Sequence, residues 1–534
     1  MVDHTADIAV IGGGVGGVAA ALAALRAGRS VILTEEYEWL GGQLTSQAVP
    51  PDEHTWIEQF GATRSYRQLR EGIREHYRRW YPLTDEARRD PYLNPGAGLV
   101  SRLCHEPRVA VAVIEALLAP HVAGGRLTIL RRTRPVAAES AGDRIAGVTV
   151  QGVLDGDLHR ISAGYVLDAT ETGELLPLAG AEYVTGFEAQ SDTGEPSAPA
   201  VAQPDNVQAL SWCFVMDHVD GDHTIDKPAD YDRWASFQPE FWGAPMLSLT
   251  GPDPRTLETF TRTFTPTVDD DPQALLADQR AAAGDRELWT FRRIASRRMF
   301  TDGAYASDIV LANWPMIDYL GGSIIDNPDA DRHLEQARSL SLSMFYWLQT
   351  EAPRPDGGTG WPGLRLRPDV AGTDDGLAQA PYIRESRRLR TRRTVVEGDL
   401  SIAARGDDGP ARYPDSVGVG MYRIDLHPTT GGDNYLDIAS VPFEIPLGAL
   451  VPIRIENLLP ASKNVGTTHI TNGAFRLHPV EWNIGESAGL LAAFCLDRGV
   501  KPAAVHADAE LLADFQRGLE RQGVELHWPD VRGY

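Results

Sequence analysis

The chain has 534 residues, 43% hydrophobic and 23% charged, the composition of a soluble globular protein with enough apolar residues for two or three domain cores. Its 74 acidic side chains against 50 basic ones give a formal net charge of −24, which disfavours a nucleic-acid partner and an anionic membrane surface. Three widely spaced cysteines, Cys104, Cys213 and Cys495, with no C-x-x-C pair, speak against a disulfide framework, an iron–sulfur cluster or a zinc site, and for a reducing, cytoplasmic setting.

Asp7 to Ile11 reads as an apolar strand that runs into Gly12-Gly13-Gly14-Val15-Gly16-Gly17, with an alanine-rich helix from Val18 to Ala27 behind it. A second apolar strand, Ser30 to Thr34, ends at Glu35. Gly12, Gly14 and Gly17 thus form a G-x-G-x-x-G in the strand–turn–helix–strand setting of a dinucleotide site. Gly12 makes the tight turn, Gly14 admits a pyrophosphate to the backbone, and Gly17 lets helix and strand pack closely. The helix N-terminus offers unpaired N–H groups to that pyrophosphate. Glu35 stands where a carboxylate accepts from both ribose hydroxyls, which favours FAD or NAD over NADP. Ile8 to Leu25 is uncharged and about as long as a short membrane span, but the flanking Asp3, His4 and Asp7 lack the basic start of a signal peptide, so neither span nor leader is expected. A second G-x-G-x-x-G, Gly358 to Gly363, has no strand before it and carries Pro362, so it is expected to be a surface turn.

The Gly41-Gly42 pair would let the chain pass close to a bound dinucleotide. Ser65 to Tyr77 reads as an amphipathic helix within an insertion at about 52–100, and a further helix between Ser101 and Leu118 is entered through Pro107. Leu127 to Leu130 should join the parallel sheet. Val136–Glu139, Ile145–Val150 and Arg160–Val166 should form an antiparallel meander, with Tyr165 to Asp168 returning to the buried sheet. From Ala181 to Val441 the character changes to Pro/Asp-rich loops, such as Gly194–Asp205 and Thr265–Pro272, with recurrent tryptophans expected mainly in a core. Leu334 to Thr350 and Glu486 to Leu496 read as helices.

The opening βαβ unit, Gly41-Gly42, the Asp168-Ala169-Thr170 strand end, Tyr382 to Arg387, Ile445 to Leu450 and the block from Pro460 to Gly489 together resemble FAD-dependent oxidoreductases of the glutathione-reductase-like type, within them a poorly characterised bacterial family. The resemblance implies an α/β fold: a Rossmann-like FAD-binding domain assembled from distant segments, 1–180 and 442–534, plus a mixed α+β substrate or cap domain at 181–441. It implies that Gly12, Gly14 and Gly17 cradle the pyrophosphate and Glu35 the adenosine ribose. Gly41, Gly42 and Gln43 would follow the ribityl–pyrophosphate region, Val136 the adenine, and Ala169 and Thr170 the other side of the cofactor. Asn464 stands where many relatives have an Asp on the ribityl chain. His478, Pro479 and Val480 would lie near the isoalloxazine, ahead of a helix aimed at its pyrimidine edge.

Flavin chemistry needs a group to take the O–H or N–H proton of the substrate, and His478 and His469 are the candidates. The six arginines of Arg384–Arg393 read as a solvated helix face, with the alternative that Arg384 reaches substrate or flavin while Glu385 orients it. Arg476 and Glu481 are expected to pair. Cys104-His105 offers residue types for a covalent flavin tether, with nothing beyond them. The reading is an FAD-dependent oxidase or dehydrogenase of an alcohol, amine or sugar-like molecule. The alternatives are a monooxygenase or halogenase, a noncatalytic flavin-binding protein, and a nicotinamide enzyme without flavin. Its expected partners are a small-molecule substrate and an electron acceptor left open by the residues; self-association is compatible with the sequence.

Overall fold

Ile8 to Ile11, each wholly shielded from solvent, form the inner half of strand β1 (Val2–Ile11), and burial on both faces is what a continuous apolar run in a parallel sheet requires. The computed structural model describes residues 1–266, 285–406 and 408–534, so the part of the expected Thr265–Pro272 loop beyond residue 266 lies outside the described residues. Helix α1 (Val15–Arg26) follows, its alanines favouring helix and Arg26 set against the negative end of the dipole. Strand β2 (Val31–Glu35) pairs parallel to β1, and β3 (Leu127–Arg131) parallel to β2. Between them lie helices α2 (Arg64–Trp80) and α3 (Pro107–Ala123).

Strands β4 (Thr133–Ala141), β5 (Arg144–Gly152) and β6 (Leu158–Asp168) form the expected meander. The two segments read separately at 160–168 are one strand: β6 pairs antiparallel with β5 near its start and parallel with β1 along its length. The sheet order is β3-β2-β1-β6-β5-β4. A late strand, which the next elements lead to, completes the other side of β6.

A second sheet is antiparallel, in the order β8 (Arg293–Ala295), β9 (Ile309–Ala312), β7 (Phe214–His218), β10 (Leu364–Leu366). Beside it runs helix α4 (Ala330–Thr350). Trp212, Trp234, Trp242, Trp289, Trp314, Trp347 and Trp361 all enter one apolar cluster here, so these indoles serve packing. The second glycine motif is only partly the expected surface turn: Gly358 and Pro362 are exposed, whereas Gly360, Trp361 and Gly363 are buried because the Trp361 indole joins this cluster.

Strand β11 (Ser416–Gly420) pairs with β12 (Phe443–Pro446). Strand β13 (Leu458–Pro460) then returns to the first sheet, placing Leu458, Leu459 and Pro460 opposite Val166, Leu167 and Asp168. The chain closes on helices α5 (His469–Phe475) and α6 (His478–Arg498). Helix α6 begins eight residues before the expected Glu486, because Glu481, Trp482, Asn483 and Glu486 are all buried there and erase the apolar periodicity. It packs against α1 through small residues: a Cβ on Gly485 would collide with the Gly16 carbonyl, and one on Gly489 with that of Ala20. Among the described residues no helix is long and apolar enough to cross a membrane.

Candidate active site

The carboxyl ends of β1, β2, β6 and β13 converge on one crevice, the place where open parallel sheets bind ligands. Gly12 turns off β1 at φ +103°, with no room for a Cβ beside the Ala169 carbonyl. Gly17 has none beside the Gly12 carbonyl. Gly14, at the N-cap of α1, differs: an added Cβ would meet only the tip of Glu171, 2.7 Å away, and Glu481 at 3.8 Å. The Gly41 N–H donates to the Gly13 carbonyl at 2.8 Å, and Gly41 and Gly42 both adopt positive φ, so the second glycine block lies directly on the first. The Ala169 N–H donates to the Ile11 carbonyl at 2.7 Å, bringing Ala169 and Thr170 to the same rim.

Glu35 is buried, accepting from the Gly13 N–H at 3.1 Å and the Tyr37 N–H at 2.9 Å. Burial pushes its carboxyl up to about 8. Asp168 accepts from the Thr170 N–H (3.0 Å) and hydroxyl (2.6 Å), and burial raises it to about 7. Asn464 donates to the Asp168 carbonyl at 3.0 Å, so its side chain fastens β13 to β6 at the crevice. Val136 is half-buried at a bulge of β4 between Pro135 and Ala137.

The C-terminal block supplies charge. Lys463, fully buried, pairs with Glu171 and lies 3.9 Å from Glu481. Burial opposes its charge and the two carboxylates overcome that, leaving the amine above its ordinary range. Glu481 also accepts from the Gly16 N–H at 3.2 Å, from the Ser462 hydroxyl at 3.0 Å and from Gln43. The expected Arg476–Glu481 pair does not form. Arg476 donates instead to the Asp425 carboxylate at 3.2 Å and to the Tyr382 hydroxyl at 3.4 Å, while its own carbonyl accepts from Gln43 at 3.0 Å. Distant partners decided both, and no spacing announced them.

His478 is wholly buried, just ahead of Pro479 in the first turn of α6. Its Nδ1 accepts the Asp52 N–H at 3.1 Å, so the neutral ring carries its proton on Nε2 and presents a donor. Burial, then Arg292 and His105, holds it well below its ordinary pKa. His469 has the opposite arrangement. Its Nδ1 faces Glu385 Oε1 at 2.8 Å, so the neutral ring donates there and leaves an Nε2 lone pair with no partner among the described residues. Glu385 is fixed in turn by Arg388 (2.6 Å) and the Gln208 N–H (2.9 Å), and the Phe187 ring lies 3.7 Å from the His469 ring.

The arginine run is not a helix, and only its later half, Arg390, Arg392 and Arg393, is exposed. Arg384, Arg387 and Arg388 sit in extended backbone, each against a carboxylate: Asp318 (3.1 Å), Asp326 (2.8 Å) and Glu385 (2.6 Å). Asp318 and Asp326 come from other segments, as does Glu188, which also pairs with Arg388 at 2.8 Å, and this is why the run read as solvated. Arg384 also donates to the Ala209 carbonyl and the Ser211 hydroxyl, and its guanidinium lies 5.1 Å from the Tyr382 ring centre. Cys104 is packed beneath Gly96 and Gly98, and burial pushes its thiol up to about 12, an inert setting for a tether.

Residues 7–519 match the profile of the family described as FAD dependent oxidoreductase. The chain belongs to that family. A search of curated proteins finds no match. Among solved structures, L-proline dehydrogenase from P. horikoshii is similar at 19% identity, with 36% of this chain and 26% of that one covered and a TM-score of 0.18. The FAD complex of glycerol-3-phosphate dehydrogenase from Bacillus halodurans gives 14% identity, 40% of each chain and 0.23. A geranylgeranyl bacteriochlorophyll reductase-like protein from Thermoplasma acidophilum gives 11% identity, 98% of this chain, 85% of that one and 0.31. This oxidoreductase thus spans about a quarter of the proline dehydrogenase and two-fifths of the glycerol-3-phosphate dehydrogenase.

The cofactor of the family is FAD, and the crevice of this oxidoreductase fits it. Gly14 leaves backbone open at a helix N-terminus, as a pyrophosphate needs. Both polar atoms of the buried Gln47 amide and Oδ2 of Asp168 have no partner among the described residues, and a polar ligand would satisfy them. Sequence reasoning missed Lys463 as a buried cation beside the glycine loops. It also missed Asp52 and Arg292, which no motif marks.

Glu35 and Asp168 make stability pH-dependent. Each holds in the folded apoprotein a proton that the unfolded chain releases near pH 4, so stability falls as pH rises toward about 8 and about 7 respectively. Above pH 7.5 the histidines whose pKa burial lowers are almost fully neutral in the unfolded chain as well and drop out. The apoprotein should therefore lose roughly 1 kcal/mol between pH 7.5 and 9. Urea unfolding at fixed ionic strength measures this, and a rise in midpoint across that interval would refute it.

Proposed function

We propose that this oxidoreductase removes a hydride from a small organic substrate, an alcohol, an amine or a sugar-like molecule. FAD, when bound, supplies the hydride acceptor. The observation that carries the reading is the His469–Glu385 pair: a fully buried imidazole, oriented by a carboxylate, with an unpartnered Nε2. That is the arrangement of a proton acceptor. In this reading His469 takes the O–H or N–H proton, and His478, with its proton on Nε2, donates a hydrogen bond rather than accepting one. Arg384 holds Tyr382 and the Asp318 carboxylate in place. Gly12, Gly14, Gly17, Glu35, Gly41, Gly42, Gln43, Ala169, Thr170, Asn464 and Pro479 line the cofactor crevice, with Val136 at its outer edge.

The test is anaerobic mixing of the FAD-loaded protein with a panel of alcohols, amines and sugars, following loss of the oxidised flavin band. Bleaching by one class is expected, slowed by about 10²-fold or more in His469→Gln and less in His478→Gln. No bleaching by any class, with NADH- or NADPH-driven oxygen consumption instead, would overturn it in favour of a monooxygenase.

A further inference from the structure

Behind His478 lies a group of polar side chains that neither the glycine crevice nor the His469 pair uses. Asp52, whose N–H holds His478, carries its carboxylate 3.5 Å from Arg292 Nη1. Among the described residues, that long contact is the hydrogen bond the Arg292 guanidinium makes to a side chain, although it has five N–H donors and only 12% of the side chain is exposed. Its Nε has no partner among the described residues, and neither has Nε of Arg476, which is 3% exposed. The Tyr382 and Tyr422 phenols lie within electrostatic reach of both guanidinium groups. Tyr382 is buried, whereas Tyr422, Arg292 and Asp425 keep partial solvent contact among buried neighbours, as the walls of a cleft do. Gln43 ties this group to the cofactor crevice through the Arg476 carbonyl.

Most buried guanidinium donors find a partner, in the protein or in something bound to it. Arginine forks match the planar, two-oxygen geometry of a carboxylate, and phenol hydroxyls add donors. Asp52 and Asp425 already set one negative charge against each arginine, which makes a doubly charged phosphate a poor occupant and a singly charged group a better one.

We propose that Arg292 and Arg476, with Tyr382 and Tyr422, form an anchor for the carboxylate of the substrate. The proposal rests on the oxidoreductase reading above and narrows its substrate class to organic acids that bear an oxidisable alcohol or amine.

Carboxylate binding can be read without turnover. The FAD-loaded protein is titrated with benzoate and acetate, and with their neutral counterparts benzamide and acetamide, by flavin difference spectra and by calorimetry. The carboxylates should bind at least about tenfold more tightly than the amides. Arg292→Met should abolish that preference, Arg292→Lys should retain part of it, and Tyr422→Phe should weaken the carboxylates alone. Equal binding of acids and amides, no binding of either, or an undiminished preference in both Arg292→Met and Tyr422→Phe would overturn the anchor. Should Arg292→Met fail to fold, Tyr422→Phe and the wild-type acid–amide comparison still decide. Bleaching by neutral substrates without carboxylate binding sinks the anchor and leaves the hydride reading standing. Carboxylate binding without bleaching by any substrate does the reverse.

Discussion

Gly14→Val should yield a folded protein that has lost FAD, whereas Gly12→Ala should scarcely fold. The two positions belong to one motif but differ in what surrounds them. At Gly12 a side chain faces two fixed obstacles, a φ of +103° and the Ala169 backbone. Strain in a left-handed position and the overpacking together cost about 2–6 kcal/mol, a large share of the stability of an ordinary domain. At Gly14 the backbone is ordinary for an N-cap, φ −63° and ψ −170°, and the nearest obstacle is a side-chain carboxylate, that of Glu171, rather than backbone. Valine there is a poor cap and costs about 1 kcal/mol. It also fills the space through which a pyrophosphate approaches the α1 N–H groups. Losing two hydrogen bonds to a charged group amounts to roughly 3–6 kcal/mol, a hundredfold or more in affinity. Flavin content after purification and the urea midpoint of the apoproteins separate the two effects. A Gly14→Val protein that keeps full flavin would remove this glycine from the cradle.

Lys463→Met should destabilise the protein by about 3–5 kcal/mol at neutral pH, because it strands Glu481 and Glu171 without their cation. Glu481 is wholly buried, and burial already pushes its carboxyl up. The loss should therefore shrink as pH falls, since a protonated carboxyl needs no cation. Glu171→Gln added to Lys463→Met should recover part of it by removing one stranded charge. Unfolding midpoints of the single and double variants at pH 5.5 and 7.5 check both statements. A deficit that does not depend on pH would mean that lost packing around the lysine stem, rather than charge, sets the cost. Because Glu171, the partner of this lysine, lies against Gly14, flavin retention should fall in the same variant.

The parts of this protein that were legible in the sequence are those decided within a few residues. A glycine turn, an alanine helix and short apolar strands are set by local sterics and propensity, so the βαβ unit, α2, α3 and the meander stand where their residues place them. The crevice at Gly12, Gly14, Glu35 and Gly41 follows from that unit. The run at Arg384–Arg393 and the start of α6 were misread for a common reason: their buried charges are balanced by residues remote in the chain, and a charged residue with no visible partner reads as exposed. Lys463 meets Glu171 across 292 residues, and Arg292 meets Asp52 across 240. Residue types alone offered both histidines and put His478 ahead of His469. Only the fold assigned one ring a carboxylate and an open lone pair and the other a backbone donor, because tautomer and burial are properties of the surroundings. The sequence by itself determined a dinucleotide fold with a specific phosphate turn. The tertiary structure decided which charges are buried together, and with them which side chains are left free to meet a ligand.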